Sequence, residues 1–258
     1  MVEANAIYVL VAREFKKFLR ERSRLISTLA RPLIWLFLVG GGMSRLVSPG
    51  MGMLSGGGVS YIQFIFPGIL GMTILFSAIF SSISIIWDKE FGLMKEILVA
   101  PVSRFSIVLG KALSGTILSV IQVAIILVLF PFLGIKMGVL GIIEVILIST
   151  LLSFCIASLG IVIATFYESF ESFSVIMNFI VMPMFFLSGA MYPVKMLPGI
   201  LQFVTKLNPF TYGIDALKHA IFRGKDVLDF SLMTDLAVLI GTSIVFVVVA
   251  GLMFERKK

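Results

Sequence analysis

The sequence predicts an all-α integral membrane protein with six transmembrane helices. Three observations predict it: apolar residues fill 59% of the 258 positions, charged residues only 14%, and the charges gather in short stretches between long apolar runs. A soluble domain carries about 25% charged residues, and the mean hydropathy here is +1.10. So much apolar surface needs lipid or neighbouring helices to cover it, so residues 1–258 read as one membrane domain. The net charge of +7 does not point to nucleic acid. What matters is where Lys and Arg sit, and cytoplasmic loops of membrane proteins concentrate them.

The first element, within residues 1–24, is amphipathic. Ile7, Leu10, Val11, Phe15, Phe18 and Leu19 recur at helical spacing, with Arg13, Lys16, Lys17 and Arg20 between them. That pattern suits a helix lying along an anionic membrane surface as an elbow into the first span. Its charges are dispersed and no small-residue cleavage site follows, so the segment is expected to be retained.

A spanning helix needs about 20 mostly apolar residues, and six segments meet that: 25–44, 61–87, 106–130, 142–166, 173–191 and 232–254. The first carries Arg31 and Pro32, so its guanidinium must snorkel to an interface or meet a protein group. Basic residues fall in the N-terminal flank, in the connection after the second span (Lys89, Lys95, Arg104, with Lys111 just inside the next helix) and at Arg256, Lys257 and Lys258. With six spans these flanks share one side. The opposite side has Arg45, an uncharged Gly-rich loop from Pro49 to Gly58, and Lys136. The positive-inside rule then places both termini in the cytoplasm of a plasma-membrane protein. Glu168 and Glu171, after the fourth span, weigh little in that rule.

The long connection from Tyr192 to Ser231 lies on the outer side. Pro193, Pro198 and Pro209 divide it into short apolar runs. Two short helices dipping into the bilayer, around Pro198 to Leu207 and Phe210 to Phe222, fit this pattern, since non-helical backbone at that depth must be enclosed by protein or water.

The residues for catalysis are missing. His219 is the single histidine and Cys155 the single cysteine, so no multi-histidine or cysteine metal site and no intrachain disulfide is expected. There is no G-x-S-x-G elbow. The acids inside spans, Glu144 and Asp235, sit near outer ends, where interfacial solvation accounts for them. A phosphate-binding loop needs G-K followed by Ser or Thr, yet Gly110-Lys111 precedes Ala112 and Gly224-Lys225 precedes Asp226. No catalytic residue, metal or cofactor is therefore assigned to this chain.

Two stretches carry a family resemblance. Asp88-Lys89-Glu90-Phe91-Gly92, Glu96 to Arg104 and Leu109-Gly110-Lys111 form one; Phe186-Leu187-Ser188-Gly189, Tyr192-Pro193, Leu197-Pro198, Leu207 to Tyr212 and Asp215 to Lys218 form the other. With the spans and the amphipathic N-terminus, the chain resembles permeases of type-2 ATP-binding-cassette (ABC) transporters, of the drug, lipid and polysaccharide exporter kind. The resemblance implies a permease subunit that pairs with a second copy or a paralogue. It also implies docking of two separate ATP-binding subunits, which hold the ATP and Mg²⁺. In such families the connection after the second span forms a cytoplasmic coupling helix. Counted from Glu90, the residues Phe91, Met94, Ile97 and Leu98 fall on one helical face, leaving Lys89, Lys95, Glu96 and Arg104 for polar contacts. Pro101 then stops the helix and Ser103 caps the next. The resemblance further implies that the re-entrant region, with Pro193, Pro198, Asn208, Pro209 and Tyr212, acts as an outer gate.

No residue pattern selects a substrate. Phe64, Phe66, Phe76, Phe80, Phe179, Phe185 and Phe186 could line an apolar route, and the lack of mid-membrane charge favours hydrophobic or amphipathic cargo. Two other functions compete, an ion-driven secondary carrier and a membrane anchor for a soluble partner. A carrier calls for a mid-membrane acid or broken-helix site and inverted repeats, which the sequence lacks; an anchor leaves six spans without a purpose.

Overall fold

A computed structural model describes residues 3–43, 59–92, 102–223 and 228–256. Every regular element among them is helical. In chain order they are α1 (Ala4–Arg20), α2 (Arg22–Trp35), α3 (Tyr61–Glu90), α4 (Arg104–Leu127), α5 (Val139–Phe166), α6 (Phe170–Phe186), α7 (Gly199–Leu207), α8 (Pro209–Phe222) and α9 (Leu232–Arg256). Four helices, α3, α4, α5 and α9, are long and apolar enough to cross a membrane, and Leu29–Met43 and α6 are shorter apolar helices. All six lie where the sequence predicts spans.

The bounds differ where local chemistry differs. The first apolar helix passes Pro32 and then loosens into a π-helical turn over Leu36–Gly40, one way a helix absorbs a lost backbone donor. Arg31 stacks its guanidinium 4.3 Å from the centre of the Phe76 ring, the protein partner its position called for. α6 stops at Phe186, five residues short of expectation, because Ser188 and Gly189 turn the chain back. Ser103 caps α4 as expected, its hydroxyl accepting from the Ser106 amide. The Gly-rich loop, Arg45 and residues 93–101 lie outside the described residues.

α3 is the axis of the bundle. It is apolar around its whole circumference and buried almost throughout, with α2, α4, α5, α6 and α8 packed on it, as an all-round apolar helix requires. Small residues set the spacing: a Cβ at Gly71 would lie 2.1 Å from Ile214 and 3.0 Å from Phe210 of α8. Small residues that admit a neighbour's side chains this closely favour helix packing where lipid removes the hydrophobic incentive. α9 is the opposite case, apolar but mostly uncovered by protein.

Candidate functional site

The site is built at the two ends of α3. At the Glu90 end, α1 lies against α4. Gly110 lets it approach, since a Cβ there would meet Leu10 at 2.8 Å, and the Glu3 amide donates to Ser106 Oγ. This contact carries acid and base into the protein. Lys111 Nζ donates to Glu14 Oε1 at 2.8 Å, Asp88 Oδ2 at 2.7 Å and Ser84 Oγ at 3.0 Å, while Arg13 donates to Asp88 Oδ1 at 2.7 Å. Lys111, Glu14 and Asp88 are all buried and Arg13 is partly exposed. All three donors of the ammonium and both carboxylates are matched, the condition under which buried ions are tolerated. Three helices are thereby fixed to one another at one point. Sequence reading placed Lys111 and Asp88 in a motif but missed this cluster, because Glu14 and Lys111 are 97 positions apart.

Next to the cluster, Lys89 donates to the carbonyls of Ala164, Thr165 and Tyr167, the last turn of α5 and the residue after it. A lysine at a helix C-terminus satisfies orphan carbonyls and favours the dipole. Lys89 is thus engaged within the fold, whereas the sequence left it available to a partner. Glu90 is exposed and Phe91 is 74% exposed. Gly92, with φ of 76°, breaks the helix after Phe91, so Phe91 closes α3. Met94, Lys95, Glu96, Ile97, Leu98 and Pro101 lie outside the described residues; Arg104 opens α4, half-buried.

At the other end, α7 and α8 form the expected hairpin, within one residue of the predicted limits. Asn208 caps α8, accepting from the Phe210 amide, and donates to the Met184 carbonyl at 2.8 Å. Pro209 takes the first helical position, where its missing N–H costs nothing. Phe210 is fully buried against Gly71. Thr211 and Tyr212 turn their hydroxyls back to the carbonyls of Thr205 and Lys206 at the end of α7. Each residue of Asn208-Pro209-Phe210-Thr211-Tyr212 thus either packs or satisfies backbone freed by the break between two helices, as burial demands. Pro193 and Pro198 precede a short 3₁₀ turn and α7, and Tyr192 donates to the Phe186 carbonyl.

Behind the hairpin, Asp215 accepts from the amides of Asp229 and Phe230, and Lys218, 1% exposed, lies 3.6 Å from the Asp229 carboxylate. Glu144 is half-exposed and paired with Arg223 at 2.7 Å, consistent with an interfacial position. Asp235 departs from the expectation. It is fully buried, so solvation does not explain it; helix periodicity could not reveal this, since burial comes from α8. Phe64, Phe66, Phe76 and Phe185 are core residues, whereas Phe179, 77% exposed, and Phe186 face outward.

The family model described as ABC-2 type transporter matches residues 5–222. The putative transport permease ycf38 of Cyanophora paradoxa is 31% identical over 250 residues, covering 95% of this chain and 85% of that one. The inner membrane transport permease YadH of Escherichia coli K12 is 26% identical over 250 residues, covering 95% and 93%. Nodulation protein J of Rhizobium meliloti is 29% identical over 204 residues, covering 75% and 72%.

Proposed function

The chain belongs to the ABC-2 type transporter family, a multi-pass membrane transport permease, and from that premise we propose that it is the membrane subunit of an ATP-driven exporter. The observation that carries this reading is α3 itself. At one end it presents exposed Phe91 beside Glu90, directly before the connection that would dock an ATP-binding subunit. Toward the other it receives the Phe210 and Ile214 side chains of the re-entrant helix α8 against its backbone at Gly71. Gly71 and Asp88 are 17 residues apart, about 25 Å along one helix. A displacement at the Phe91 end is held to α1 and α4 by the Lys111 ion cluster and delivered to Phe210 and Ile214.

In this reading the six apolar helices all span, both termini are cytoplasmic and the membrane is the plasma membrane. Two ATP-binding subunits, holding ATP and Mg²⁺, dock on a pair of permeases through residues 90–104. ATP biases the pair between inward- and outward-open states, which requires contacts that differ between the two. The hairpin, with Pro193, Pro198, Asn208, Pro209 and Tyr212, is the outer gate. The cargo is hydrophobic or amphipathic, a drug, lipid or glycan. The names of relatives support transport, and that of the Escherichia coli protein supports an inner membrane.

The test is reconstitution of the permease with its ATP-binding partner in liposomes, following movement of candidate amphiphiles. Movement should require ATP and fall in Phe91→Ala, with that variant still inserted. Movement that persists without ATP and follows an ion gradient would show a secondary carrier instead.

A further inference from the structure

Where α8 meets the start of α9, three side chains converge that the transport reading does not use. Asp215 and His219 lie four residues apart on one face of α8, and Asp235 enters from the first turn of α9. One ligand atom from each falls within 4.8 Å of the others. His219 Nε2 is 4.0 Å from Asp215 Oδ2 and 3.8 Å from Asp235 Oδ2, and it donates to the Phe230 carbonyl oxygen at 2.9 Å, a proton that a bound ion would replace. Ligands that share an ion at about 2.1 Å stand roughly 3–3.5 Å apart, so small side-chain adjustments close the ring.

A separate observation points to an occupant. Asp235 has no exposed surface, and neither of its carboxylate oxygens has a hydrogen-bond partner among the described residues. A buried carboxylate without donors is costly. Asp215, by contrast, is held by the Asp229 and Phe230 amides, the outer hydrogen bonding that orients ligating carboxylates. The charge balance agrees: among the described residues, Asp215, Asp229 and Asp235 face one ammonium, that of Lys218, which lies on Asp229.

We propose that Asp215, His219 and Asp235, with the Phe230 carbonyl, bind a divalent transition-metal cation that ties the re-entrant helix α8 to the head of α9. One imidazole nitrogen with three oxygens suits Zn²⁺ or Mn²⁺, not a thiol-seeking ion. The sequence argued against a metal because it holds one histidine; a mixed set needs only one, provided the fold brings two carboxylates to it.

The full chain, purified in detergent and stripped with a chelator, is equilibrated with Zn²⁺ and separately with Mn²⁺, and bound metal and thermal unfolding are measured. One ion per chain is expected for at least one metal, with a rise in unfolding temperature. His219→Asn and Asp235→Asn should each weaken binding at least roughly tenfold, the scale seen even for outer-shell partners. Glu144→Gln, at the same end but paired with Arg223, should bind as the parent does. The proposal is overturned if the parent binds no stoichiometric ion, or if both ligand variants bind undiminished. It also falls if Asp235→Asn matches or exceeds the parent's stability and neither protein responds to metal, because a proton on Asp235 then does the work.

Discussion

Lys111 shows what one side chain does here and how little of it the sequence displays. Its neighbours in sequence are apolar or small, and reading along α4 gives only a lysine near a helix start. In the fold it is 3% exposed and bonded to two carboxylates from two other helices. Removing it would leave Glu14 and Asp88 charged and buried, with only the partly exposed Arg13 among the described residues to answer them. Breaking a buried pair by removing one partner costs about 3–5 kcal/mol, more than the intact pair contributes over an apolar replacement. Lys111→Met should therefore lower the thermal unfolding temperature sharply. Adding Glu14→Gln and Asp88→Asn to it should restore much of the loss. An unchanged unfolding temperature in the single variant would mean that the cluster does not hold α1 in place. Asp235 was illegible for the same reason: both residues are defined by burial that distant helices supply, and no local pattern encodes it.

At the scale of elements the hairpin was legible and the connection after α3 only in part. Prolines and an Asn-Pro step punctuate the chain at fixed backbone positions, so Pro198 and Asn208 announce where α7 and α8 begin. The length of the apolar runs likewise located the six apolar helices. The helical wheel counted from Glu90 did not show that Gly92 takes a left-handed conformation and ends α3 at Phe91, because a wheel assumes an unbroken helix. The hairpin makes its own prediction. Asn208 joins α6 to α8 by donating to the Met184 carbonyl while accepting from the Phe210 amide. Asn208→Ala leaves both backbone groups unmatched in a buried setting, a loss of about 1–3 kcal/mol. Asn208→Asp keeps the acceptor and removes the donor. Thermal unfolding in detergent should rank the parent above Asn208→Asp and Asn208→Ala lowest; equal values for all three would show that water serves these groups as well.

For the whole molecule, the open question is how the bundle sits across the bilayer, and its dimensions constrain the answer. α5 runs 28 residues from Val139 to Phe166, about 42 Å at 1.5 Å per residue, against a hydrocarbon core of about 30 Å. Lys136 lies just before it and Glu168 just after it, and both are exposed. Two such residues cannot share a side of the membrane unless α5 lies flat, which its buried face against α3, α4 and α9 opposes. Basic residues are more numerous at the Glu168 end, which among the described residues has Arg13, Lys16, Lys17, Lys89, Arg104 and Lys111, whereas the other end of α5 has Lys136 and Arg223, the latter paired with Glu144. The positive-inside rule then puts Lys136 outside. The chain offers a clean background for testing this, because Cys155 is its only cysteine and is fully buried. In a Cys155→Ala protein, Lys136→Cys should react with a membrane-impermeant maleimide in intact cells, and Glu168→Cys only after the membrane is permeabilised. The reverse labelling pattern would invert the molecule, place the hairpin in the cytoplasm and remove it as an outer gate. Labelling of both positions in intact cells would take α5 out of the spanning set altogether.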